Sequence, residues 1–478
     1  MFDVAVIGAG VTGAAIARRL CSYRLSVAVL ERSADVSFGV SKANSGIIHA
    51  GFHHNPSTLK ARLEIRGNSL FDALKDELGF PFRRVGALVA AFSYEEMKTV
   101  DGLYAQGLAN GVPGLEIVGR ERILTIEPNL SRDVVGGLWA PSGGIVEPYR
   151  FVFALLENAR LNGLELFTGF RVTGARSTSS GWKLDSDGGS IEARWVVNAA
   201  GLFADRVSGL FGAEEYAITP RKGEEYILDR NASGLPGAVI FPVPSANSKG
   251  TLVIPTVEGT MMIGPTAEEV HDKEDTGTTP ENLERIFRLA SRMVPAISIK
   301  DVITSFAGLR PALPGDDFYI ALSGKAPRFL QAAGIQSPGL TASPAIAELV
   351  EDILRKDGLE LVKKTDFTPT LPRFPRSRDL SPEELDALAA RDPAFARIVC
   401  RCESVSEAEV VQAIRQGHTT LDGIKFYTRA GMGRCQGGFC AYRILSLIAR
   451  ETGMPVERIT KRGGGSTFVV GRIGESAE

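Results

Sequence analysis

Residues 2–13 read Phe-Asp-Val-Ala-Val-Ile-Gly-Ala-Gly-Val-Thr-Gly, which joins a short β-branched run to the pattern Gly-x-Gly-x-x-Gly. Residues 3–7 predict a buried parallel strand, and residues 14–22 predict a helix just after the glycines. Residues 26–30 predict a second buried strand, and Glu31 follows it, 18 residues after the last glycine. Because strand, turn, helix and acid occur in this order, the segment indicates a dinucleotide-binding unit rather than a glycine-rich turn without a ligand.

The three glycines are expected to have separate roles. Gly8 permits the tight turn, Gly10 lets the backbone approach a pyrophosphate, and Gly13 lets the helix pack closely on the strand. The N–H groups and the positive dipole end at the start of the helix favour phosphate oxygens. Glu31 is expected to accept hydrogen bonds from a ribose hydroxyl, and its charge disfavours the 2′-phosphate of NADP. This local pattern does not by itself distinguish FAD from NAD.

The composition is that of an ordinary globular protein. Of the 478 residues, 44% are hydrophobic and 23% are charged, which allows several domains with a sizeable core. The net charge is −2 and no Lys/Arg-rich block is present, so we expect no nucleic-acid partner. No apolar run reaches transmembrane length, and the N-terminal strand and turn argue against a removable signal. The sequence predicts a cytoplasmic protein and leaves peripheral attachment to a membrane open.

The nucleotide fold is expected to be assembled from distant pieces of the chain. Residues 194–200 predict another buried strand, which Gly201 follows. Residues 332–341 predict a third glycine-containing turn, and residues 343–355 predict the helix after it.

The segments between these pieces have a different pattern. Residues 221–228 and 238–243 predict strands, and residues 250–265 predict two more around a turn at 257–259. Residues 283–293 predict a helix. We therefore expect an antiparallel sheet that forms a second lobe.

Several of these segments resemble known flavoproteins. Residues 198–201 and 334–341 resemble FAD-contacting segments of the D-amino-acid oxidase-like superfamily, and this favours FAD, because an NAD site would not need the third piece. Residues 41–51 read Ser-Lys-Ala-Asn-Ser-Gly-Ile-Ile-His-Ala-Gly and resemble the flavin-side loop of FAD-dependent glycerol-3-phosphate dehydrogenases and L-2-hydroxyglutarate dehydrogenases. Residues 220–224 and 308–311 also resemble motifs of these families.

Four of the five cysteines form a C-terminal cluster. Cys400 and Cys402 are separated by 32 residues from Cys435 and Cys440, and such clustering in a cytosolic chain favours metal binding over disulfides. The segment resembles the [2Fe–2S]-binding domain of bacterioferritin-associated ferredoxin, which is also fused to anaerobic glycerol-3-phosphate dehydrogenase. The wide spacing of the second pair departs from the stand-alone ferredoxin and fits the fused versions. Four thiolates suit a [2Fe–2S] cluster, while Zn²⁺ or no metal stays an alternative.

The resemblance implies a fold of mixed α/β and α+β class. An FAD-binding Rossmann-like domain would carry an inserted antiparallel-sheet substrate lobe and be followed by a small helical [2Fe–2S] domain. The implied boundaries are 1–78, 146–215 and 300–360 for the FAD-binding domain, 79–145 and 216–299 for the lobe, 361–394 for a linker, 395–452 for the [2Fe–2S] domain and 453–478 for a tail. The implied FAD-binding residues are Gly8, Gly10, Gly13, Glu31, Arg32, Ser41, Asn44, Ser45, Val172, Ala200, Gly201, Gly308, Gly334, Gly339, Leu340 and Thr341.

The resemblance also implies chemistry at a secondary alcohol, in which a hydride moves to flavin N5 and a base takes the hydroxyl proton. His49 is the candidate base, and the alternative is that it only orders the loop or the flavin. Arg310 is the candidate catalytic cation that binds the anionic group of the substrate as a fork, with Arg221 and Lys222 as second choices. For all three cations, a structural or solvated role is the alternative.

The leading functional hypothesis is oxidation of sn-glycerol 3-phosphate to dihydroxyacetone phosphate. The alternatives are an L-2-hydroxyglutarate or other 2-hydroxy-acid dehydrogenase, a non-catalytic FAD/[2Fe–2S] electron-transfer subunit, and an amine or amino-acid oxidase. The expected partners are a small anionic alcohol and an electron acceptor, which is a protein, a quinone or oxygen. We expect an oligomer, with a hetero-oligomer of redox subunits as one form.

Overall fold

The computed structural model describes residues 1–244 and 250–471, which form two compact units. The first unit consists of Met1–Leu30, Gly39–Phe167 and Val172–Leu371. The second consists of Glu31–Phe38, Thr168–Arg171 and the segment from Pro372 onwards.

The first unit contains a mixed sheet around the N-terminal strand. Phe2–Ile7 pairs in parallel with Val27–Leu30 on one side and with Gly189–Asn198 on the other. Val4, Ala5 and Val6 are completely buried, as expected for a strand with both faces covered. Within the described residues, the strands of this sheet are Phe2–Ile7, Val27–Leu30, Leu164–Phe167, Gly174–Ser177, Trp182–Ser186, Gly189–Asn198, Tyr319–Leu322 and Phe329–Ala333.

Helices pack around this sheet and on one another. Gly67 lies where the helix Leu59–Leu78 crosses the helix Gly339–Lys356, and a Cβ there would come within 2.1 Å of the Thr341 carbonyl oxygen. The helix expected at 343–355 begins four residues earlier, because its first turn follows directly on Pro338. The described helices of the first unit are Val11–Leu20, Leu59–Leu78, Tyr94–Ala109, Arg120–Ile126, Pro148–Leu161, Ala204–Leu210, Pro280–Met293 and Gly339–Lys356.

A second, largely antiparallel sheet forms a lobe of the same unit. Its longest pair is Thr219–Leu228 with Val302–Ala312, in a register that sets Arg221 opposite Arg310. The predicted strands on either side of the turn at 257–259 are present, and so is the predicted helix, which spans Pro280–Met293. Within the described residues, the strands of this sheet are Ala87–Ala91, Glu116–Gly119, Gly136–Ala140, Thr219–Leu228, Val239–Pro242, Leu252–Pro255, Met261–Gly264, Glu268–Glu269 and Val302–Ala312.

Both faces of this sheet are buried. Along Ala87–Ala91, Leu88 and Ala90 belong to one apolar cluster, while Val89 belongs to another, as the period-two alternation of a strand requires. Ile286 of the helix Pro280–Met293 packs in the cluster that contains Leu88. A small third sheet consists of Ile47–Ile48, Phe82–Arg84 and Gly144–Val146.

The second unit is a small helical module. Its described helices are Pro382–Arg391, Glu407–Arg415, Leu421–Thr428 and Ala441–Thr452, and its short strands are Ile398–Cys400 and Val405–Ser406. A capping box starts the helix Glu407–Arg415, because the side chains of Ser406 and Glu409 each bond to the backbone N–H of the other residue. Ile459, in the segment expected as a tail, is completely buried in the core of this module.

No described helix combines the length and the apolar character that crossing a bilayer requires.

Gly67→Ala should destabilise the protein, because the added methyl group meets the Thr341 carbonyl oxygen, which is backbone and cannot rotate away. Such overpacking costs about 1–3 kcal/mol, which we expect to lower the melting temperature by several degrees in differential scanning fluorimetry.

Gly102→Ala is the matched control, because Gly102 lies inside the helix Tyr94–Ala109 and a Cβ there meets nothing within 4 Å. It should raise stability by about 0.5–1 kcal/mol through helix propensity. Equal effects of the two substitutions would contradict the close helix crossing.

Candidate functional site

The glycine turn is held by backbone contacts that leave no room for a side chain. Gly8 has a φ of +108°, and a Cβ there would lie 2.5 Å from the Ala199 carbonyl oxygen. A Cβ on Gly13 would lie 1.9 Å from the Gly8 carbonyl oxygen. The roles predicted for these two glycines therefore rest on contacts with backbone atoms, which cannot move aside as a flexible side chain could.

Ser41, which is distant in sequence, contacts the start of the first helix. Its Oγ accepts a hydrogen bond from the Val11 N–H at 2.9 Å, and a Cβ on Gly10 would come within 3.1 Å of that oxygen. Val11 and Ser41 both line the large cavity of the first unit. The N-terminus of the helix thus opens on this cavity, where its N–H groups can bind phosphate oxygens.

The cavity has a volume of about 670 Å³. Many of the predicted site residues line it, namely Ser41, Asn44, Ser45, His49, Arg221, Gly308, Arg310, Gly339 and Leu340. Other predicted residues of the first unit are outside the described lining, namely Gly8, Gly10, Gly13, Val172, Ala200, Gly201, Lys222, Gly334 and Thr341.

Two of the residues outside the lining contact either the glycine turn or a residue of the lining. Ala200 follows Ala199 beside the glycine turn, and the Ala199 N–H donates to the Ile7 carbonyl oxygen at 3.0 Å. Thr341 accepts a hydrogen bond from the His49 backbone N–H at 3.0 Å through its Oγ1. The predicted roles of Ala200 and Thr341 therefore remain compatible with a ligand in the cavity.

Glu31 and Arg32 belong to the second unit. One oxygen of the Glu31 carboxylate accepts a hydrogen bond from the Ser33 N–H at 2.8 Å. The ribose contact of Glu31 stays a prediction.

His49 presents its ring to the cavity from the loop after Ile47–Ile48. Its Nε2 lies 3.3 Å from the Ser337 Oγ, and its ring packs at a tilt against Phe241 with 6.1 Å between centroids. Its carbonyl oxygen accepts from Asn68 Nδ2 at 2.7 Å. The backbone is thus fixed by two elements, and the ring has a hydroxyl partner that orients it.

Arg310 lies flat across the neighbouring strand. A Cβ on Gly223 would come within 2.4 Å of an Arg310 terminal nitrogen, so only glycine permits this arrangement. Both terminal nitrogens donate to the Thr266 carbonyl oxygen at 3.3 Å. Desolvation lowers the pKa of Arg310, partly offset by the carboxylate of Glu225. A desolvated guanidinium is well suited to bind an anion that enters the cavity.

The other two predicted cations, Arg221 and Lys222, lie on opposite faces of the strand Thr219–Leu228. Arg221, Gly223 and Glu225 line the cavity, while Lys222 lies outside its lining. Lys222 is buried, and its Nζ lies 2.8 Å from an Asp275 oxygen. Alternate residues of a strand face opposite sides of the sheet, which explains why neighbouring cations differ in access. The structure favours a structural role for Lys222.

Glu225 was missed from the sequence. It is only 2% exposed and lines the cavity; Oε1 accepts from the Ser45 hydroxyl at 3.0 Å, and Oε2 has no hydrogen-bond partner among the described residues. Burial raises the pKa of Glu225 to about 7, although Ser45 and Arg310 act in the opposite direction. The signal that could have found it is its position two residues after Gly223, on the face of the strand that carries Arg221.

Lys60 was also missed. It is the second residue of the helix Leu59–Leu78, is 1% exposed and lines the cavity, and its Nζ lies 3.0 Å from an Asp316 oxygen. Nothing in its sequence context indicates burial, because a lysine at a helix start is usually solvated.

The four cysteines come together in the second unit as two pairs. The Sγ atoms of Cys402 and Cys435 are 3.7 Å apart, and the thiols of Cys400 and Cys440 are hydrogen-bonded to each other. Among the described residues, no three His, Cys, Asp or Glu side chains surround one ion position. Two pairs match a [2Fe–2S] cluster, in which each of the two irons takes two thiolates.

Backbone N–H groups support the thiolate form of these cysteines. The Cys440 thiol and the N–H groups of Gly431 and Glu403 donate to Cys400 and lower its pKa to about 6, although burial acts in the opposite direction. The N–H groups of Gly437 and Phe439 donate to Cys435. Donors to sulfur stabilise a charged cluster, so the residues present fit one.

Comparison with known proteins assigns two families to the chain. Residues 3–353 match the family described as FAD dependent oxidoreductase, and residues 398–450 match the BFD-like [2Fe-2S] binding domain. A glycerol 3-phosphate dehydrogenase of Caloramator mitchellensis is 44% identical over 98% of both chains. Human mitochondrial L-2-hydroxyglutarate dehydrogenase is 28% identical over 73% of this chain and 88% of its own.

A solved structure has the same fold over the N-terminal family region. The dithionite-reduced L-alpha-glycerophosphate oxidase of Mycoplasma pneumoniae, with FAD bound, superposes with a TM-score of 0.74 at 30% identity. The match covers 78% of this chain and 99% of that one.

Glu225→Gln should change how stability depends on pH. The unfolded carboxyl loses its proton near its ordinary pKa of 4.5 and the folded one near 7, so burying the charge costs stability as the pH rises between these values. The cost is about 3 kcal/mol and is fully present above pH 7. The glutamine variant should lose this pH-dependent fall in melting temperature.

Ser45→Ala is the companion variant for that measurement. It keeps the Glu225 carboxyl and removes the hydroxyl that lowers the pKa of that carboxyl. The fall in melting temperature should therefore move to higher pH. Identical pH profiles for the wild type and Glu225→Gln would show that Glu225 does not titrate in this range.

Cys440→Ser should remove the iron and the EPR signal of the reduced cluster while leaving the flavin bound, because Cys440 belongs to the second unit. Cys21→Ala is the control, since Cys21 is a buried cysteine of the first unit and should leave the iron content unchanged. Metal analysis and EPR provide the readout. Stoichiometric zinc without iron in the wild type would contradict the cluster.

Proposed function

Because the chain belongs to the FAD-dependent oxidoreductase family, and carries a C-terminal BFD-like [2Fe–2S] domain, we propose that it oxidises sn-glycerol 3-phosphate to dihydroxyacetone phosphate. The family, the fold class and both cofactors expected from the sequence are confirmed. The two relatives named above are a glycerol 3-phosphate dehydrogenase and an L-2-hydroxyglutarate dehydrogenase, so the proposal selects between two kinds of anionic alcohol.

One observation carries the proposal: a histidine and two arginines meet on a cavity that opens at the start of the first helix. His49, Arg221 and Arg310 all line this cavity, together with Val11 of that helix. The glycine turn that admits no Cβ is a cradle for the diphosphate of FAD. The space beside it can hold a small anion between the arginines and the histidine.

Different residues carry out the binding and the proton transfer that alcohol oxidation requires. Arg310, with Arg221 on the adjacent strand, binds the phosphate and fixes the orientation of the alcohol carbon. His49 takes the hydroxyl proton on a ring nitrogen, while the hydroxyl of Ser337 holds the ring in place. FAD supplies the hydride acceptor at its N5 atom. The substrate thus loses a hydride from carbon and a proton from oxygen and becomes a ketone.

Electron acceptor, location and assembly are part of the same proposal. The electrons leave through an acceptor protein, a quinone or oxygen, and the chain works in the cytoplasm as an oligomer. The remaining predicted roles, including Glu31 at the ribose and Arg32, Val172, Gly334 and Thr341 as FAD-binding residues, belong to this proposal as well.

The test is anaerobic bleaching of the bound flavin. Glycerol 3-phosphate should bleach it at low concentration, while L-2-hydroxyglutarate and amino acids should leave it yellow. Bleaching by L-2-hydroxyglutarate alone would assign the other family activity. If none of these compounds bleaches the flavin, the non-catalytic electron-transfer subunit becomes the better account.

His49→Ala should slow flavin reduction at saturating substrate by about 10²- to 10⁴-fold, as loss of a general base does. Arg310→Ala should mainly raise KM, by roughly 10- to 100-fold, because charged hydrogen bonds to the anion are lost. Stopped-flow reduction measures both.

Arg285→Ala is the control, since Arg285 is an exposed residue of the helix Pro280–Met293 that pairs with Glu268. It should leave both constants unchanged. An unchanged rate in His49→Ala would assign that histidine to loop order rather than proton transfer.

A further inference from the structure

The cysteine pairs differ in access to solvent. Cys400 and Cys440 are 1% and 2% exposed, whereas Cys402 is exposed and Cys435 is partly exposed. A cluster held by all four therefore has one buried side and one side near the surface of the second unit. Electrons enter or leave most readily at the side near the surface, because electron transfer weakens steeply with distance.

The residues around the exposed pair are unusual for a protein surface. Phe439 is 86% exposed and Tyr442 is 77% exposed. Large aromatic side chains at a surface often mark an interaction site. Both adjoin Cys440, one directly before it and one in the first turn of the helix Ala441–Thr452.

The charged residues in this stretch of the chain have one sign. Arg401, Arg434 and Arg443 are exposed next to the cysteine pairs, and the sequence contains no Asp or Glu from residue 429 to residue 450. The adjacent acid Glu403 is 2% exposed and bonds to Arg429. The surface is therefore both aromatic and positively charged. We call Arg401, Arg434, Phe439, Tyr442 and Arg443 the cysteine rim.

We propose that the cysteine rim is the docking surface for a separate electron-acceptor protein with an acidic face. Interface cores are enriched in aromatic residues and arginine, and complementary charge speeds encounter between weakly bound redox partners. Weakly bound redox partners meet through small, transient interfaces, for which a local surface patch is sufficient.

This proposal rests on the proposed function only for the source of the electrons. Each alcohol oxidised to a ketone releases two electrons and two protons. The protons pass to solvent, and the acceptor protein takes the electrons one at a time in two encounters. Each encounter reduces one acceptor molecule by one electron and reoxidises the enzyme by the same amount.

The experiment measures binding of the cluster-loaded full-length enzyme to two probes of opposite charge. An acidic plant-type ferredoxin is the test probe and basic cytochrome c is the control probe. Surface plasmon resonance should show ferredoxin binding that weakens about tenfold when salt is raised, as expected for a charged interface. Cytochrome c should not bind.

Two rim variants and one matched control locate the surface. Arg443→Glu and Phe439→Ala should each weaken ferredoxin binding about tenfold or more, as interface anchors do. Arg415→Glu makes the same charge change beside Glu451, at the far end of the helix Ala441–Thr452, about 15 Å away. It should leave binding unchanged. Iron content and EPR confirm that every variant keeps its cluster.

The outcomes separate the two proposals. Ferredoxin binding that is absent, or equally weakened by Arg415→Glu, overturns the docking surface, as does equal binding of cytochrome c. A wild-type dimer that Phe439→Ala dissociates would show that a second copy covers the rim, which also overturns it. Bleaching by glycerol 3-phosphate is measured in the same variants and should be unchanged. If glycerol 3-phosphate does not bleach the flavin while ferredoxin still binds, only the proposed function is contradicted.

Discussion

The contacts of the glycine turn are the constraint on which the first unit depends. The Gly8 carbonyl oxygen occupies the place of a Gly13 Cβ, and the Ala199 carbonyl oxygen nearly occupies that of a Gly8 Cβ. These contacts bring the first helix, the N-terminal strand and the strand Gly189–Asn198 together at one point. The cavity lies beside that point, and Val11 and Ser41 at the start of the helix belong to its lining. No side chain could be added at either glycine without moving backbone, so the geometry of the turn that we propose as the phosphate cradle follows from the absence of Cβ atoms.

The alternation of side chains along the strand Thr219–Leu228 then decides which charged groups can reach a ligand in the cavity. Arg221 and Glu225 face the cavity on either side of Gly223, and the missing side chain of Gly223 leaves the space that the Arg310 guanidinium fills. Lys222 and Glu224 face the other way; Glu224 accepts hydrogen bonds from Thr279 and Asn282 and ties the helix Pro280–Met293 to the sheet. The same strand thus builds the site with one face and the lobe with the other. A buried carboxyl near a half-buried arginine also couples the charge of the site to pH, because burial disfavours the charged form of each group.

In the second unit, one pair of cysteines is buried and the other pair lies at the surface. The pair Cys400 and Cys440 is part of the apolar core of the module, and the pair Cys402 and Cys435 lies at its surface. The backbone N–H groups that donate to Cys400 and Cys435 come from Glu403 and from the glycine-rich segment between 431 and 439. The buried side holds the cluster in the module, while the exposed side carries the aromatic and arginine residues through which we infer contact with an acceptor.

The sequence by itself determined what depends on neighbours along the chain. The strand–turn–helix at residues 2–13 and the capping box at Ser406 follow from local spacing, and the cysteine spacing with its resemblance identified the C-terminal domain before any coordinates. Tertiary structure alone decided what depends on distant segments meeting. It paired Cys400 with Cys440 and Cys402 with Cys435 across the intervening residues, and it separated Lys222 from Arg221 by the facing of a strand. It also buried Glu225 and Lys60 against the cavity, because burial is set by the packing of other elements, which local sequence does not specify.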